Sequence, residues 1–318
     1  MAIKVEAIEK YGLSKDTKPK ALFEKVGIIG CGMVGREIAI MISRHGIDVV
    51  FIEVSEEQIK HAYKMLDEEL DEMIGRWGMT TGEKRAILSR IYGSIYCKDL
   101  DGCGIVIEAI KSKTREDSVE KRKEIFKRIE QYVGPDTIIA TNSTTLVITE
   151  LSSELKHKER CISLHFSTVS PNSHLVEVVR GLNTSKEAYE NTKRFLKLID
   201  RIGIPVEESP GLISVRIFTP LINEACEVLM EGVAKMEDID YTMRMALGQR
   251  LGPFETADKI GLDKVVRWMN NLYNEFGDIR YKPSPVLKKL VRGNRLGRKT
   301  MLGFYRYDEH GNKISLNK

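Results

Sequence analysis

From residue 24 onward the chain alternates short apolar runs with longer amphipathic stretches. "KVGIIG" (25–30) leads into glycines and then "REIAIMISRHG", where Ile38, Met41 and Ile42 recur at helical spacing. "DVVFIEV" (48–54) follows as a second apolar run. Strand, glycine loop, helix, strand is the order of a βαβ unit. "GIVIEAI" (104–110), "DTIIATN" (136–142) and "RCISLHF" (160–166) predict further buried strands, and "HLVEVVRG" and "IPVEESPG" continue the pattern. Between them, residues 55–92 predict a helical pair. Its apolar face is Ala62, Met65, Leu66, Leu70, Met73 and Ile74, with Gly75 and Gly82 marking breaks. The first two-thirds of the chain therefore reads as α/β: a doubly wound, mainly parallel sheet with a helical-hairpin insertion.

"ESPG" (208–211) changes the character. Everything beyond it reads as helix, beginning with "LISVRIFTPLINEACEVLMEG" and continuing through "MEDIDYTMRMAL", "GLDKVVRWMNNLYNEFG" and "SPVLKKLVRG". The expected organisation is an appendage over 1–20, a sheet domain over 21–209 and an all-α domain over 210–318.

Composition narrows the class. The chain has 318 residues, 42% of them hydrophobic and 30% charged, which suits a globular protein with a sizeable core. A net charge of +4 makes no case for nucleic acid, though a local basic site for a phosphorylated ligand fits it. The cysteines Cys31, Cys97, Cys103, Cys161 and Cys226 are dispersed, as in a reducing compartment, and no metal site is expected. No apolar run is long enough for a membrane span, and the polar start lacks the apolar segment of a signal peptide. The expected location is the cytoplasm.

"GIIGCGMVG" contains G-x-G-x-x-G at Gly30, Gly32 and Gly35, placed after a strand and opening a helix. The first glycine permits the turn, the second the approach of a pyrophosphate, and the third close packing of helix on strand. The helix N-terminus favours the anion. Gly30, Cys31, Gly32, Met33, Val34 and Gly35 are thus candidate cofactor contacts. Glu53 ends the second strand, where a carboxylate accepts from ribose hydroxyls and repels a 2′-phosphate, so NAD is expected over NADP.

A hydroxyl-oxidising enzyme needs a base held in one tautomer. His165 ends an apolar strand at the edge where open α/β sheets bind ligands, and Glu177 follows 12 residues later in a second apolar run. If "STVSPNS" turns back, the two side chains meet. His174, three residues before Glu177, competes for the role of base. In "TNSTTL" (141–146) the hydroxyls of Ser143, Thr144 and Thr145 could cap the next helix or bind a substrate oxygen, and spacing alone leaves both open.

The residues resemble the NAD-dependent L-3-hydroxyacyl-CoA dehydrogenases, including the short-chain 3-hydroxybutyryl-CoA type. The resemblance covers roughly residues 24–307, through the glycine loop, "TNSTTL", "LHF…LVEVV", "SPGLI", "EGVAKMEDID", "LGPFETADKIGLD" and "KPSPVLKKLVRGNRLGRKT…GFYRY". It implies that His165 and Glu177 are the catalytic pair, and it gives His174 no role. It also implies that Thr144 binds the substrate oxygen, that Arg122, Asn142 and Lys299 contact the cofactor, and that Arg76 contacts coenzyme A. A homodimer through the helical domain is implied as well. Some positions depart from the family pattern. Thr168 and Val215 stand where the family has substrate-side asparagines, "EAIKSKTREDSVEKRK" replaces the shorter E-A-x-x-E-N and loses its glutamate near the nicotinamide, and "KTMLG" replaces K-T-G-x-G. The base and its orienter persist while the amides do not. The expected activity is oxidation of a short-chain 3-hydroxyacyl-CoA; the alternatives are a different 3-hydroxy or 3-amino compound, or an NAD-binding protein without catalysis.

Overall fold

The computed structural model describes residues 22–75, 78–111, 115–166 and 174–314, with the backbone alone for 115–117. The expectations for residues 1–20, Arg76 and Thr168 lie outside the described residues.

Eight strands form one sheet: β1 (Lys25–Ile29), β2 (Asp48–Ile52), β3 (Ile91–Ser94), β4 (Ile105–Glu108), β5 (Ile138–Thr141), β6 (Cys161–Phe166), β7 (Leu175–Arg180) and β8 (Ile202–Glu207). Their spatial order is β3-β2-β1-β4-β5-β6-β7-β8. All neighbouring pairs run parallel except β6 with β7. The order reverses between β1 and β4, and the crevice at such a switch point is where open α/β sheets bind ligands.

Around the sheet lie α1 (Met33–Arg44), α2 (Glu56–Gly75), α3 (Thr81–Leu88), α4 (Arg115–Tyr132), the short α5 (Ile148–Leu151) and α6 (Lys186–Leu198). Neighbouring strand residues feed opposite cores. Ile28, Ile107 and Ile138 pack with Ile38, Leu66, Ile87 and Phe195, whereas Ile29, Val106 and Ile139 pack with Phe126, Ile129 and Leu151. Burial on both faces is why these strands read as continuous apolar runs.

Two details of the helical-pair expectation are corrected. Gly82 does not end a helix; it lies in the first turn of α3, whose break comes earlier, at Thr80, with a Thr80–Glu83 capping box. The end of the 55–92 segment is also not helical. Ile91–Ser94 is the edge strand β3, only four residues long and half exposed, too short to show a period.

The helical C-terminal domain follows: α7 (Ser214–Met230), α8 (Met236–Leu247), α9 (Pro253–Ile260), α10 (Leu262–Phe276) and α11 (Pro285–Arg292). Its core gathers Ile222, Cys226, Phe254, Leu262, Val265, Met269 and Leu287 with Phe304, Tyr305 and Tyr307 of the closing segment. Among the described residues no helix is long and apolar enough to cross a membrane.

Candidate active site

The glycine loop leaves β1 through Gly30, whose φ of +89° is accessible to glycine at little cost. A Cβ there would also press on Ile110 beyond β4. At Gly32 the opposite holds: nothing lies within 4 Å of where a Cβ would stand, so the backbone is bare to a ligand. Gly32 caps α1 with no side-chain hydrogen bond, and no acidic residue occupies the first turn. Both features leave the positive end of the helix open to an anion. Glu53 accepts a 2.6 Å hydrogen bond from the Cys31 N–H, so the residue expected at the ribose also holds the loop. This cradle fits a dinucleotide.

β6 and β7 form an antiparallel hairpin in which His165 stands directly opposite Glu177. Directly paired residues bring their side chains to the same face. His165 Nδ1 and Glu177 Oε2 are 2.6 Å apart, both side chains nearly buried. The other oxygen, Oε1, accepts from the N–H groups of Ile213 (2.9 Å) and Ser214 (3.0 Å), and the Ser214 hydroxyl donates to Oε2 at 2.9 Å. Burial pushes the Glu177 carboxyl up, but the hydrogen bonds from His165 and Ser214, with the His165 charge, outweigh it and hold it below the usual range. The carboxylate therefore stays ionised, accepts a hydrogen bond from Nδ1–H, and leaves Nε2 as the basic nitrogen. His174 is exposed and turned elsewhere, with Nδ1 3.0 Å from the Asp200 carbonyl.

The "TNSTTL" hydroxyls do not cap α5, whose N-cap is Val147 with no side-chain bond. The Ser143 hydroxyl accepts from Leu146 N–H, and Thr145 accepts from Asn271 of α10 at 2.8 Å, stitching sheet to helices. Thr144 is buried beside them and its carbonyl accepts from Gly211 N–H. The Asn142 amide oxygen accepts from Phe166 N–H at 2.9 Å, joining the ends of β5 and β6.

Arg122 lies in α4, its guanidinium engaged with Glu108 (2.9 Å), the Ile110 carbonyl and the Ser118 hydroxyl. Glu108 was not singled out by sequence. It is fully buried, and it also accepts from Thr141 Oγ1 at 2.6 Å and Ile110 N–H at 2.7 Å. A carboxylate ending an apolar strand, as Glu53 does, was the available signal. Lys299 is ion-paired with Asp263 at the start of α10. Val215 packs with Trp268, Leu272 and Tyr281, an apolar wall at the start of α7. Ser214 was also missed, because only the fold carries it to Glu177. Among the described residues no cluster of three or more His, Cys, Asp or Glu could hold a metal.

A dinucleotide cradle and an oriented histidine beside a helical domain make up the build of a nicotinamide-dependent dehydrogenase acting on a CH–OH group. The chain belongs to the 3-hydroxyacyl-CoA dehydrogenase family. Residues 25–209 match the family's NAD binding domain and 211–307 its C-terminal domain. Its cofactor is NAD. It is 37% identical over 287 residues to a 3-hydroxybutyryl-CoA dehydrogenase of Clostridioides difficile, covering 90% of this chain and 100% of that one. It is 30% identical to the mitochondrial hydroxyacyl-coenzyme A dehydrogenase of Homo sapiens over 95% of this chain and 97% of that one. The crystal structure of (S)-3-hydroxybutyryl-CoA dehydrogenase PaaH1 from Ralstonia eutropha is 36% identical, with a TM-score of 0.79 over 90% of this chain and 100% of that one.

Proposed function

We propose that the chain interconverts a short-chain 3-hydroxyacyl-CoA and its 3-oxo partner, with His165 as general base and Glu177 as its orienter. The observation that carries this reading is the 2.6 Å contact of His165 Nδ1 with an ionised, nearly buried Glu177. In the oxidising direction His165 Nε2 takes the hydroxyl proton, and Glu177 stabilises the imidazolium that forms. Thr144 holds the C3 oxygen. When bound, NAD would supply the hydride acceptor. Gly30, Cys31, Gly32, Met33, Val34 and Gly35 would cradle its pyrophosphate and Glu53 its ribose, and Arg122, Asn142 and Lys299 would flank it. Residues 21–209 act as the NAD domain and 210–318 as a domain that covers substrate and pairs two copies in the cytoplasm. Residues 1–20 are an appendage, and Arg76 serves coenzyme A.

The test is steady-state reduction of acetoacetyl-CoA with NADH. A kcat/KM in the ordinary range of about 10⁴–10⁸ M⁻¹s⁻¹ is expected. A second reading is favoured by Val215, which puts an apolar wall where the family has an amide. Losing one such hydrogen bond costs about 1–3 kcal/mol, or roughly one to two orders of magnitude in rate. A kcat/KM far below that range, with turnover of another 3-hydroxy or 3-amino compound, replaces the first reading by the second. NAD binding with no turnover of any such compound leaves a non-catalytic NAD-binding protein.

A further inference from the structure

We propose that Ser214 is a positioning residue, whose hydroxyl shares the Glu177 oxygen that holds His165 and ties the pair to the segment joining sheet to helices. The inference rests on the reading of His165 and Glu177 as base and orienter.

Four donors converge on one carboxylate. Oε1 takes the N–H groups of Ile213 and Ser214, while Oε2 takes the Ser214 hydroxyl at 2.9 Å and lies 2.6 Å from His165 Nδ1. Three of the four come from the start of α7, so one turn of the helical domain sets the orienter of the sheet's base. The Ser214 hydroxyl is not spent on its own helix, whose N-cap is Ile213 with no side-chain bond. The joining segment is itself fixed. Gly211 and Leu212 are both left-handed, with φ of +83° and +52°. A leucine in that conformation persists only where its surroundings over-determine it. Gly211 N–H donates to the Thr144 carbonyl at 2.8 Å, so the same few residues touch the substrate-side threonine and Glu177.

The physical effect follows from sharing. A hydroxyl donating to Oε2 draws charge away from the bond to His165. Without it, Oε2 serves His165 alone, the Nδ1–H bond strengthens, and the imidazolium is better stabilised. Glu177 stays in place, because Oε1 keeps both N–H groups. Among the described residues, the charge that acts on Glu177 is that of His165. Across β8 the paired residue is Ile204, and Arg216 of α7 is engaged with Ser209, Tyr281 and the Phe276 ring.

The experiment uses the full chain with Ser214→Ala and Ser214→Thr. In the NAD-free protein, the Nδ1–H proton resonance of His165 moves to lower field in Ser214→Ala. The acid limb of kcat/KM against pH, measured for hydroxyl oxidation, moves up by roughly half a pH unit or more. Ser214→Thr restores both. An unchanged resonance and limb in Ser214→Ala, even with a lowered kcat, overturns the proposal and leaves the hydroxyl a space-filling role. Should Ser214→Ala fail to fold, Ser214→Cys keeps the shape with a weaker donor and must shift the resonance in the same direction; no shift overturns the proposal. The resonance needs no substrate. A shifted resonance in a protein that turns over no acyl-CoA upholds Ser214 and sinks the reading of the reaction.

Discussion

His165 and His174 lie nine residues apart, yet one is nearly buried against Glu177, while the other is exposed beside the likewise exposed Asp200. His165→Ala is expected to lower kcat by at least about 10²-fold with NAD affinity nearly unchanged, and His174→Ala to change kcat little. Steady-state kinetics with an NAD titration checks both; the reverse ranking would move the base to His174. This pair was legible in sequence because an antiparallel hairpin needs only local chain to bring two residues together. Glu108 and Arg122 were harder to read. Their contact depends on α4 folding back under β4, which spacing does not encode. The pair is buried, with side-chain exposures of 0% and 7%. Arg122→Met strips the guanidinium from a buried carboxylate and should cost about 3–5 kcal/mol in urea unfolding. A loss below 1 kcal/mol would mean that Thr141 and the Ile110 N–H suffice to hold the charge.

At the scale of elements, legibility followed continuity of pattern. The seven apolar runs became β1, β2, β4, β5, β6, β7 and β8, while the edge strand β3, as long as β4 or β5 but broken by an exposed Tyr92, was hidden behind a helical face. The closing segment after α11 shows what sequence alone does not give. Among the described residues it carries a short 3-10 turn and isolated bridges, and it is anchored by Asp258 of α9 together with Asp240 of α8, which accepts from the Tyr305 hydroxyl, and Glu255 of α9, which pairs with Lys313. Asp258 is 1% exposed and accepts from Phe304 N–H, Tyr305 N–H and the Tyr307 hydroxyl at 2.9–3.0 Å. Gly297 and Gly303 press so closely on Asp258 that a Cβ at either would clash with it. Asp258→Asn keeps the shape but turns one acceptor into a donor facing donors. It should cost about 2–3 kcal/mol and lower the melting temperature measured by calorimetry. An unchanged melting temperature would show that Asp240, Glu255 and the aromatic packing hold the segment without Asp258.

For the molecule as a whole, what matters is how sheet and helices meet, and one carboxyl reports on it. Glu37 sits on α1, just past the glycine loop, where burial pushes it up from 4.5 to about 7. Glu69 adds to the rise, while Lys264 and Lys259 of the helical domain, and Arg36, pull it back. The folded chain therefore binds this proton more tightly than the unfolded one. Below about pH 4.5 the group is protonated in both states and carries no penalty. The penalty grows as pH rises from there and is complete above about pH 7. Its size is on the order of 2–3 kcal/mol. Glu37→Gln removes the titration, so the variant should be more stable than the parent at pH 8, with the gap closing towards pH 5. Urea unfolding at the two pH values measures it. A gap of the same size at both would mean that the two lysines neutralise Glu37 fully, and that the junction of sheet and helices is held by a settled ion pair.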